Sequence, residues 1–277
     1  MFDTHCHLNF KVFDTRLDKV INSAIGQGVT HILIPATDVI SSKKSIEISK
    51  KNKNIYSSVG IHPHHVFQFQ YEDKSIDIEE ELEEIEKLVK TKKVIAIGEV
   101  GLDAHYYNKT KYKDYKVDEN FLDLQKKFLI EQIKIAVKNK KSLILHNRET
   151  ANEIIPLLNN NWVDFLNGRT VFHCCESNED LLNFSKEKNI FIGIDGDITY
   201  DKIKQDFIKN VPIENLVIET DSPFLIPEPL KSQKIFPNEP ANISIIVDFL
   251  SNLLGVQKEK LQQITFENSL KLFNIDS

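Results

Sequence analysis

The chain has 277 residues, of which 41% are hydrophobic and 27% charged, the composition of a soluble globular protein. Its length suits one domain over residues 1–277. A net charge of −6 excludes a protein that coats nucleic acid nonspecifically, because such binding depends on many Lys and Arg contacts to phosphate. A local basic groove remains compatible with this charge.

The cysteine content and the hydropathy pattern predict a cytoplasmic protein. Cys6, Cys174 and Cys175 lack CxxC spacing, as expected of reduced thiols in a cytosolic compartment. The first residues show neither the basic nor the apolar region of a secretory signal, and no apolar run reaches the roughly 18 residues needed to cross a bilayer. We therefore expect no association with a membrane.

Short runs rich in β-branched residues recur along the chain and alternate with stretches whose apolar residues have helical spacing. The predicted strands are residues 2–8, 29–35, 55–61, 94–97, 142–145, 170–172, 190–194 and 216–218. Eight strand–helix units without a break in composition predict a closed (β/α)8 TIM barrel, although an open doubly wound α/β sheet would give a similar pattern.

Polar side chains that can bind a metal follow most of the predicted strands. The active site of a TIM barrel lies at the carboxyl ends of its strands, so these side chains are predicted to meet there. Burying so many of them without partners would cost several kcal/mol each. His64 and His65 follow a strand end and can equally be solvated loop residues. The whole set is His5, His7, His62, His64, His65, Glu99, His146, His173 and Asp221.

The first of these segments, His5-Cys6-His7, has the period-two spacing that sends both imidazoles to one face of a strand. Two adjacent imidazoles form half of a typical zinc site. Asp3 shares their face and is predicted to accept a hydrogen bond from one of the rings. Cys6 points the other way and is predicted to be a packed thiol.

Several motifs in the same order resemble the TatD family of metal-dependent deoxyribonucleases, within the amidohydrolase-like TIM-barrel superfamily. They include Asp3-Thr4-His5-Cys6-His7-Leu8, Gly60-Ile61-His62-Pro63-His64, Ile97-Gly98-Glu99-Val100-Gly101-Leu102-Asp103, Leu145-His146-Asn147-Arg148, Phe172-His173-Cys174 and Glu219-Thr220-Asp221-Ser222-Pro223. The segments Asn238-Glu239-Pro240 and Thr265-Phe266-Glu267-Asn268 also resemble family sequences. The resemblance implies a TIM barrel of the metal-dependent hydrolase type.

The resemblance also implies a set of metal ligands and cofactors. One divalent ion is held by His5, His7 and Asp221, a second by His146 and His173, and Glu99 bridges the two. The expected cofactors are therefore two divalent metal ions, which can be Zn²⁺, Mg²⁺ or Mn²⁺. His62, and with it His64, is expected near the substrate.

The implied activity is hydrolysis of DNA phosphodiester bonds, as a 3′→5′ exodeoxyribonuclease acting on single strands or 3′ ends. Two ions can activate a water for attack on phosphorus, with Asp221 as the base and Glu99 as the second catalytic residue. We expect His62 and Arg148 to contact phosphate, since an Arg fork pairs with two oxygens, although Arg148 can alternatively cap local helix structure. No obligatory protein partner is expected.

The segment 104–117 interleaves aromatic and basic residues, namely Tyr106, Tyr107, Tyr112 and Tyr115 with Lys109, Lys111, Lys113 and Lys116. Such a mixture is typical of single-strand binding, in which bases stack on rings and ammonium groups follow the backbone. The alternative is a solvated basic loop with packed tyrosines.

Two departures from the family pattern concern the substrate. Cys174-Cys175-Glu176-Ser177 replaces an aromatic and Ser/Gly stretch, and Glu176 would repel an anionic substrate unless it points away. Residues 231–237 lack the arginines expected before Asn238.

Two alternative functions stand beside the nuclease. One is an amidohydrolase-type enzyme that cleaves an amide, lactone or ester of a small molecule, and the other is a non-catalytic metal-binding scaffold.

Overall fold

The computed structural model describes residues 1–72 and 77–276. Within these residues eight parallel strands form one sheet in which each strand pairs with the next along the chain. The strands are β1 (Phe2–Asp3), β2 (His31–Ile34), β3 (Ile55–Val59), β4 (Val94–Asp103), β5 (Ser142–Arg148), β6 (Thr170–Phe172), β7 (Phe191–Ile194) and β8 (Leu216–Ile218). The sheet closes on itself after β1 and β8, where the Thr4 N–H donates to the Ile218 carbonyl and Cys6 forms a parallel β-bridge with Ser222. The predicted TIM barrel is confirmed.

Helices alternate with the strands around the barrel. They are α1 (Leu17–Gly26), α2 (Val39–Lys51), α3 (Ile78–Leu88), α4 (Glu119–Lys138), α5 (Ala151–Asn161), α6 (Glu179–Lys188), α7 (Lys202–Ile208), α8 (Ile243–Leu254) and α9 (Lys258–Phe273). Short 3₁₀ turns lie at Lys11–Phe13, Pro63–Val66, Asp164–Leu166, Gly196–Thr199, Ile213–Asn215 and Pro240–Asn242, with a π-helical turn at Gln68–Glu72.

Asp and Asn side chains determine where several of these helices begin. Asp38, Asp118 and Asn178 each accept a hydrogen bond from a backbone N–H in the first turn of α2, α4 and α6. Such caps satisfy donors that the helix cannot pair internally, and each contributes about 1 kcal/mol. The helices therefore begin at fixed points just after the strand-end loops.

An apolar cluster inside the barrel fills the end remote from the strand carboxyl ends. It takes one residue from each of seven strands, together with the end of α9: Phe2, Leu33, Ala96, Ile144, Val171, Phe191, Val217, Leu270, Leu272 and Phe273. The rings of Phe2 and Phe273 lie 5.7 Å apart. This end of the barrel is therefore closed by packing, and the opposite end is left for polar side chains.

Among the described residues, no helix combines the length and apolarity needed to span a bilayer.

Two glycines of β4 pass so close to β5 that neither position leaves room for a side chain. A Cβ at Gly101 (φ +155°) would lie 1.8 Å from the His146 carbonyl oxygen. A Cβ at Gly98 (φ +156°) would lie 2.5 Å from Ile144 Cβ. These two glycines flank Glu99, so their missing side chains let the Glu99 carboxylate reach the residues of β5.

We expect Gly101→Ala to destabilise the fold by at least about 2 kcal/mol, because the added methyl meets backbone at a positive φ. The matched control is Gly26→Ala at the end of α1, where an added Cβ meets nothing within 4 Å and alanine is the better helix former. Urea unfolding of both variants checks this. Equal midpoints for Gly101→Ala and the wild type would contradict the close approach.

Candidate metal centre

Four side-chain atoms that can bind a metal, from residues that lie in β4 or follow β1 and β8, converge at the open end of the barrel. His5 Nε2 and His7 Nε2 lie 3.3 Å apart. Glu99 Oε2 lies 3.5 Å from the His5 nitrogen and 3.7 Å from the His7 nitrogen. Asp221 Oδ1 lies 3.7 Å from the His5 nitrogen and 3.5 Å from the His7 nitrogen. The predicted alternation, which sends both imidazoles to one side, is confirmed by these distances.

Five of the six distances among these four atoms are close to those expected around a tetrahedral cation. Bonds of about 2.0–2.2 Å to a central ion place neighbouring ligand atoms roughly 3.3–3.6 Å apart, and the five distances given above run from 3.3 to 3.7 Å. Burial and the nearby His173 lower the pKa of His5 to about 4, so its ring is neutral at pH 7. A neutral imidazole is the form that binds a metal.

The Glu99 carboxylate also faces a second cluster through its other oxygen. Glu99 Oε1 lies 2.6 Å from His173 Nε2 and 2.8 Å from His146 Nδ1, and these two nitrogens are 3.2 Å apart. Burial opposes ionisation of Glu99, but the neighbouring imidazoles of His173 and His62 and the hydrogen bond from His146 hold its pKa well below the usual value. An ionised carboxylate with one oxygen toward each cluster has the geometry of a bridging ligand.

His62 is a hydrogen-bond donor at this site. Its Nδ1 accepts the backbone N–H of His64 at 3.1 Å, so the neutral ring carries its proton on Nε2. That Nε2 lies 3.2 Å from Glu99 Oε1 and faces the cavity. A ring in this tautomer can donate to an oxygen of a substrate, whereas it has no free nitrogen lone pair for a metal.

Asp103 orients His146 and was missed as a site residue in the sequence. Its Oδ2 lies 3.1 Å from His146 Nε2, which leaves His146 Nδ1 free for the second cluster. The same oxygen accepts the Tyr107 hydroxyl at 2.7 Å, and that hydroxyl accepts from Arg148 Nη1 at 3.0 Å. Arg148 therefore binds a tyrosine at the cavity wall, and it does not cap a helix. Glu99, Gly101 and Asp103 occupy every second position of β4, so their side chains share one face. This spacing was the sequence signal that could have identified Asp103 as a site residue.

Asp3 does not have its predicted role. Its carboxylate accepts from the Thr220 hydroxyl at 2.7 Å, from the Thr220 N–H at 3.0 Å and from the His5 N–H at 3.3 Å. These donors are the His5 backbone N–H and two groups of Thr220, which follows β8. Asp3 therefore links β1 to the segment after β8, where the barrel closes, and it orients no imidazole. Cys6 is fully buried, as predicted.

A cavity of about 900 Å³ opens above both clusters. Its lining includes His62, His64 and Arg148, the three residues predicted to contact substrate. His64 Nε2 is hydrogen-bonded to Thr110 at 2.8 Å, and its ring packs on Tyr107 and Tyr115. It is therefore a partly buried wall residue, and the reading of His64 as a solvated loop residue is wrong.

The tyrosines of segment 104–117 are largely packed inside the protein. Tyr112 and Tyr115 are each 6% exposed and contact the ring of Phe67. Tyr106 is exposed but does not line the cavity. The prediction that this loop offers several rings to bases is wrong, because the aromatic residues complete the apolar core instead. Tyr107 alone of the four lines the cavity.

The two departures from the family pattern have simple structural consequences. The Glu176 carboxylate lines the cavity, where it accepts from Asn147 Nδ2 at 2.6 Å and from the Glu149 N–H at 2.7 Å. It therefore fixes the loop after β5, and it does not point away from the cavity. Lys231, in the segment before Asn238, places its ammonium over the Tyr200 ring at 3.1 Å.

Comparisons with known proteins agree with the geometry. A sequence profile described as TatD related DNase matches residues 2–274. The chain is 29% identical to the metal-dependent hydrolase YabD of Bacillus subtilis over the full length of both proteins. It is 27% identical to the 3′-5′ ssDNA/RNA exonuclease TatD of Shigella flexneri, covering 99% of each chain. The structure of the TatD homologue YjjV from Escherichia coli superposes with a TM-score of 0.83 at 25% identity, covering 100% and 98% of the two chains.

We expect Asp103→Asn to weaken binding of an ion at the His146–His173 cluster by roughly 10- to 100-fold, because the amide cannot fix the His146 tautomer as the carboxylate does. Ion stoichiometry and affinity, titrated after chelation and measured by elemental analysis, check this. Tyr107→Phe is the matched control, since it removes a donor to Asp103 but keeps the carboxylate. Equal affinities for Asp103→Asn and the wild type would show that Asp103 plays no part.

Proposed function

This chain belongs to the TatD related DNase family, and we propose that it hydrolyses DNA phosphodiester bonds as a 3′→5′ exonuclease with two divalent ions. It is a metal-dependent hydrolase, as its family and its relatives are. The observation that carries the proposal is the position of Glu99, whose two oxygens face two separate ligand clusters. Divalent ions held by these two clusters would supply the charge that favours displacement at phosphorus. The exonuclease relative supports DNA as the substrate class.

The proposed ligands are the six residues of the two clusters: His5, His7, Glu99, His146, His173 and Asp221. Divalent ions bound there supply Lewis-acid activation of water and neutralise charge that develops on phosphate oxygens. The residues fit Zn²⁺, Mn²⁺ or Mg²⁺, since imidazoles and carboxylates serve all three to different degrees.

The remaining steps belong to side chains of the cavity. Asp221 lines the cavity and takes the proton of the attacking water at its carboxylate. As the water oxygen bonds to phosphorus, the P–O bond to the 3′-oxygen of the preceding nucleotide breaks, and that oxygen takes up a proton to leave as a hydroxyl group. His62 donates its Nε2–H to a non-bridging phosphate oxygen. Arg148 pairs its planar fork with the neighbouring phosphate of the strand, held in place by the Tyr107 hydroxyl. Together these residues orient one phosphodiester over the two clusters.

Glu99→Gln and Asp221→Asn are expected to lower the rate of degradation of end-labelled single-stranded DNA by at least roughly 100-fold, because they remove the bridging ligand and the base. Matched controls are Glu187→Gln and Asp206→Asn, whose side chains are 65% and 78% exposed on the outer surface. Label placed at the 5′ or the 3′ end distinguishes the direction of attack.

Both controls should retain wild-type rates. The nuclease proposal is wrong if the metal-loaded wild type leaves every DNA substrate intact. Metal-dependent hydrolysis of an ester or lactone without DNA cleavage would instead support the amidohydrolase alternative. Bound metal with neither activity would support the non-catalytic scaffold.

The charge of the cavity makes binding of DNA dependent on the ions. Among the described lining residues, four carboxylates (Glu99, Glu176, Asp201 and Asp221) outnumber three cationic side chains, Arg148, Lys204 and His146, and burial raises the pKa of the fifth carboxyl group, Asp197, to about 8. Lys204 is moreover paired with Asp197 at 2.6 Å. A phosphate entering an ion-free cavity therefore meets a net negative wall, which disfavours binding.

We expect removal of divalent ions with a chelator to weaken binding of a single-stranded oligonucleotide at least roughly tenfold, in addition to stopping cleavage. Fluorescence anisotropy with a phosphorothioate oligonucleotide, which resists cleavage, measures the affinity before chelation, after it and after ions are restored. Unchanged affinity after chelation would mean that DNA binds away from this cavity.

A further inference from the structure

An aromatic pair lies at the mouth of the cavity beside the first ligand cluster. The rings of Phe10 and Phe224 meet edge to face with centroids 5.9 Å apart, and both line the cavity. Phe10 stacks on the His7 ring at 4.4 Å, and Phe224 meets the His7 ring edge at 6.4 Å. We call this pair the Phe10–Phe224 platform. Both rings of the platform therefore contact His7, a proposed metal ligand.

Phe224 remains 48% exposed although it has neighbours against which it can pack. Full burial of a phenylalanine side chain stabilises a protein substantially, so an exposed ring at the mouth of a polar cavity indicates a surface for a ligand. The Phe224 ring lines the cavity while it contacts His7 and Phe10.

The loop that carries Phe224 is rigidly attached to the metal centre. Phe224 N–H donates to the Asp221 carbonyl at 2.8 Å. Asn238, from the motif before the last helices, donates from Nδ2 to the carbonyls of Thr220 at 2.9 Å and Leu225 at 3.3 Å. Asn238 is fully buried, so its side chain holds this loop from inside. The position of the Phe224 ring is therefore fixed relative to Asp221.

The cavity thus has two chemically different walls. Beside His146 the wall is cationic and polar, made by Arg148 and Tyr107. Beside His7 the wall is the Phe10–Phe224 platform. A phosphate suits the first wall and a flat apolar ring suits the second. A nucleotide carries both groups, joined by a sugar.

We propose that the Phe10–Phe224 platform is a nucleobase site, on which a base flanking the scissile phosphate stacks. The proposal rests on the nuclease function proposed above. Stacking on an aromatic ring depends little on which base is present, because every base has a π-face. The platform therefore gives binding that requires a base but tolerates any sequence.

The test compares a normal oligonucleotide with one that carries reduced abasic residues on both sides of the terminal scissile phosphate. We expect the wild type to cut the abasic oligonucleotide with a kcat/KM roughly tenfold lower, mainly through KM. Phe224→Ala should show the same loss on the normal oligonucleotide and little further loss on the abasic one. Phe224→Trp should retain the preference for a base.

Phe236→Ala is the matched control, because this ring is 64% exposed but does not line the cavity; it should behave as the wild type. Metal content of all variants should be unchanged. If the wild type cleaves both oligonucleotides equally well, the nucleobase site is overturned but the nuclease proposal is not. The same holds if the abasic residues and Phe224→Ala each lower kcat/KM by independent, additive amounts. No cleavage of either oligonucleotide overturns the nuclease proposal and the platform with it.

Discussion

The crowding of imidazoles around one buried carboxylate is the constraint on which the site depends. Glu99 is 3% exposed and lies within 3.7 Å of nitrogens from His5, His7, His62, His146 and His173. A buried carboxylate needs positive charge beside it. Burial opposes a proton on His146, yet Asp103 and Glu99 raise its pKa to about 10. An ion at that nitrogen replaces a proton, so ion binding and proton release are linked.

Sequence alone predicted the barrel and the residues at the strand ends, because hydrophobic period and strand-end polarity are local patterns. It could not predict the full role of β4. The strand predicted from the sequence ends at Ile97, whereas β4 continues to Asp103. The pairing of β4 with β5 shifts register between Ile97 and Val100, so alternation counted from Ala96 assigns Glu99 to the wrong face. The shift depends on contact with β5, which no local pattern contains. The same limit hid the partner of Asp3.

Composition was an equally poor guide to which aromatic residues remain available. The sequence of segment 104–117 mixes tyrosine with lysine in a way that is typical of single-strand binding, yet Tyr112 and Tyr115 fill space beside Phe67. Phe224, with no basic neighbour close in sequence, stays at the cavity mouth. Burial is decided by tertiary packing around the whole barrel, whereas composition reports only what a segment can do if it stays exposed.

The contacts of Asp103 join the two halves of the proposed chemistry. One oxygen serves both His146 and Tyr107, and the Tyr107 hydroxyl serves Arg148 in turn. Orientation of a metal ligand and placement of a cation for phosphate therefore depend on one short hydrogen-bonded chain. Such chains strengthen and weaken together, so the effects of substitutions along it will not add independently. A barrel that builds its site from separate strand ends therefore gains a fixed spatial relation between His146 and Arg148.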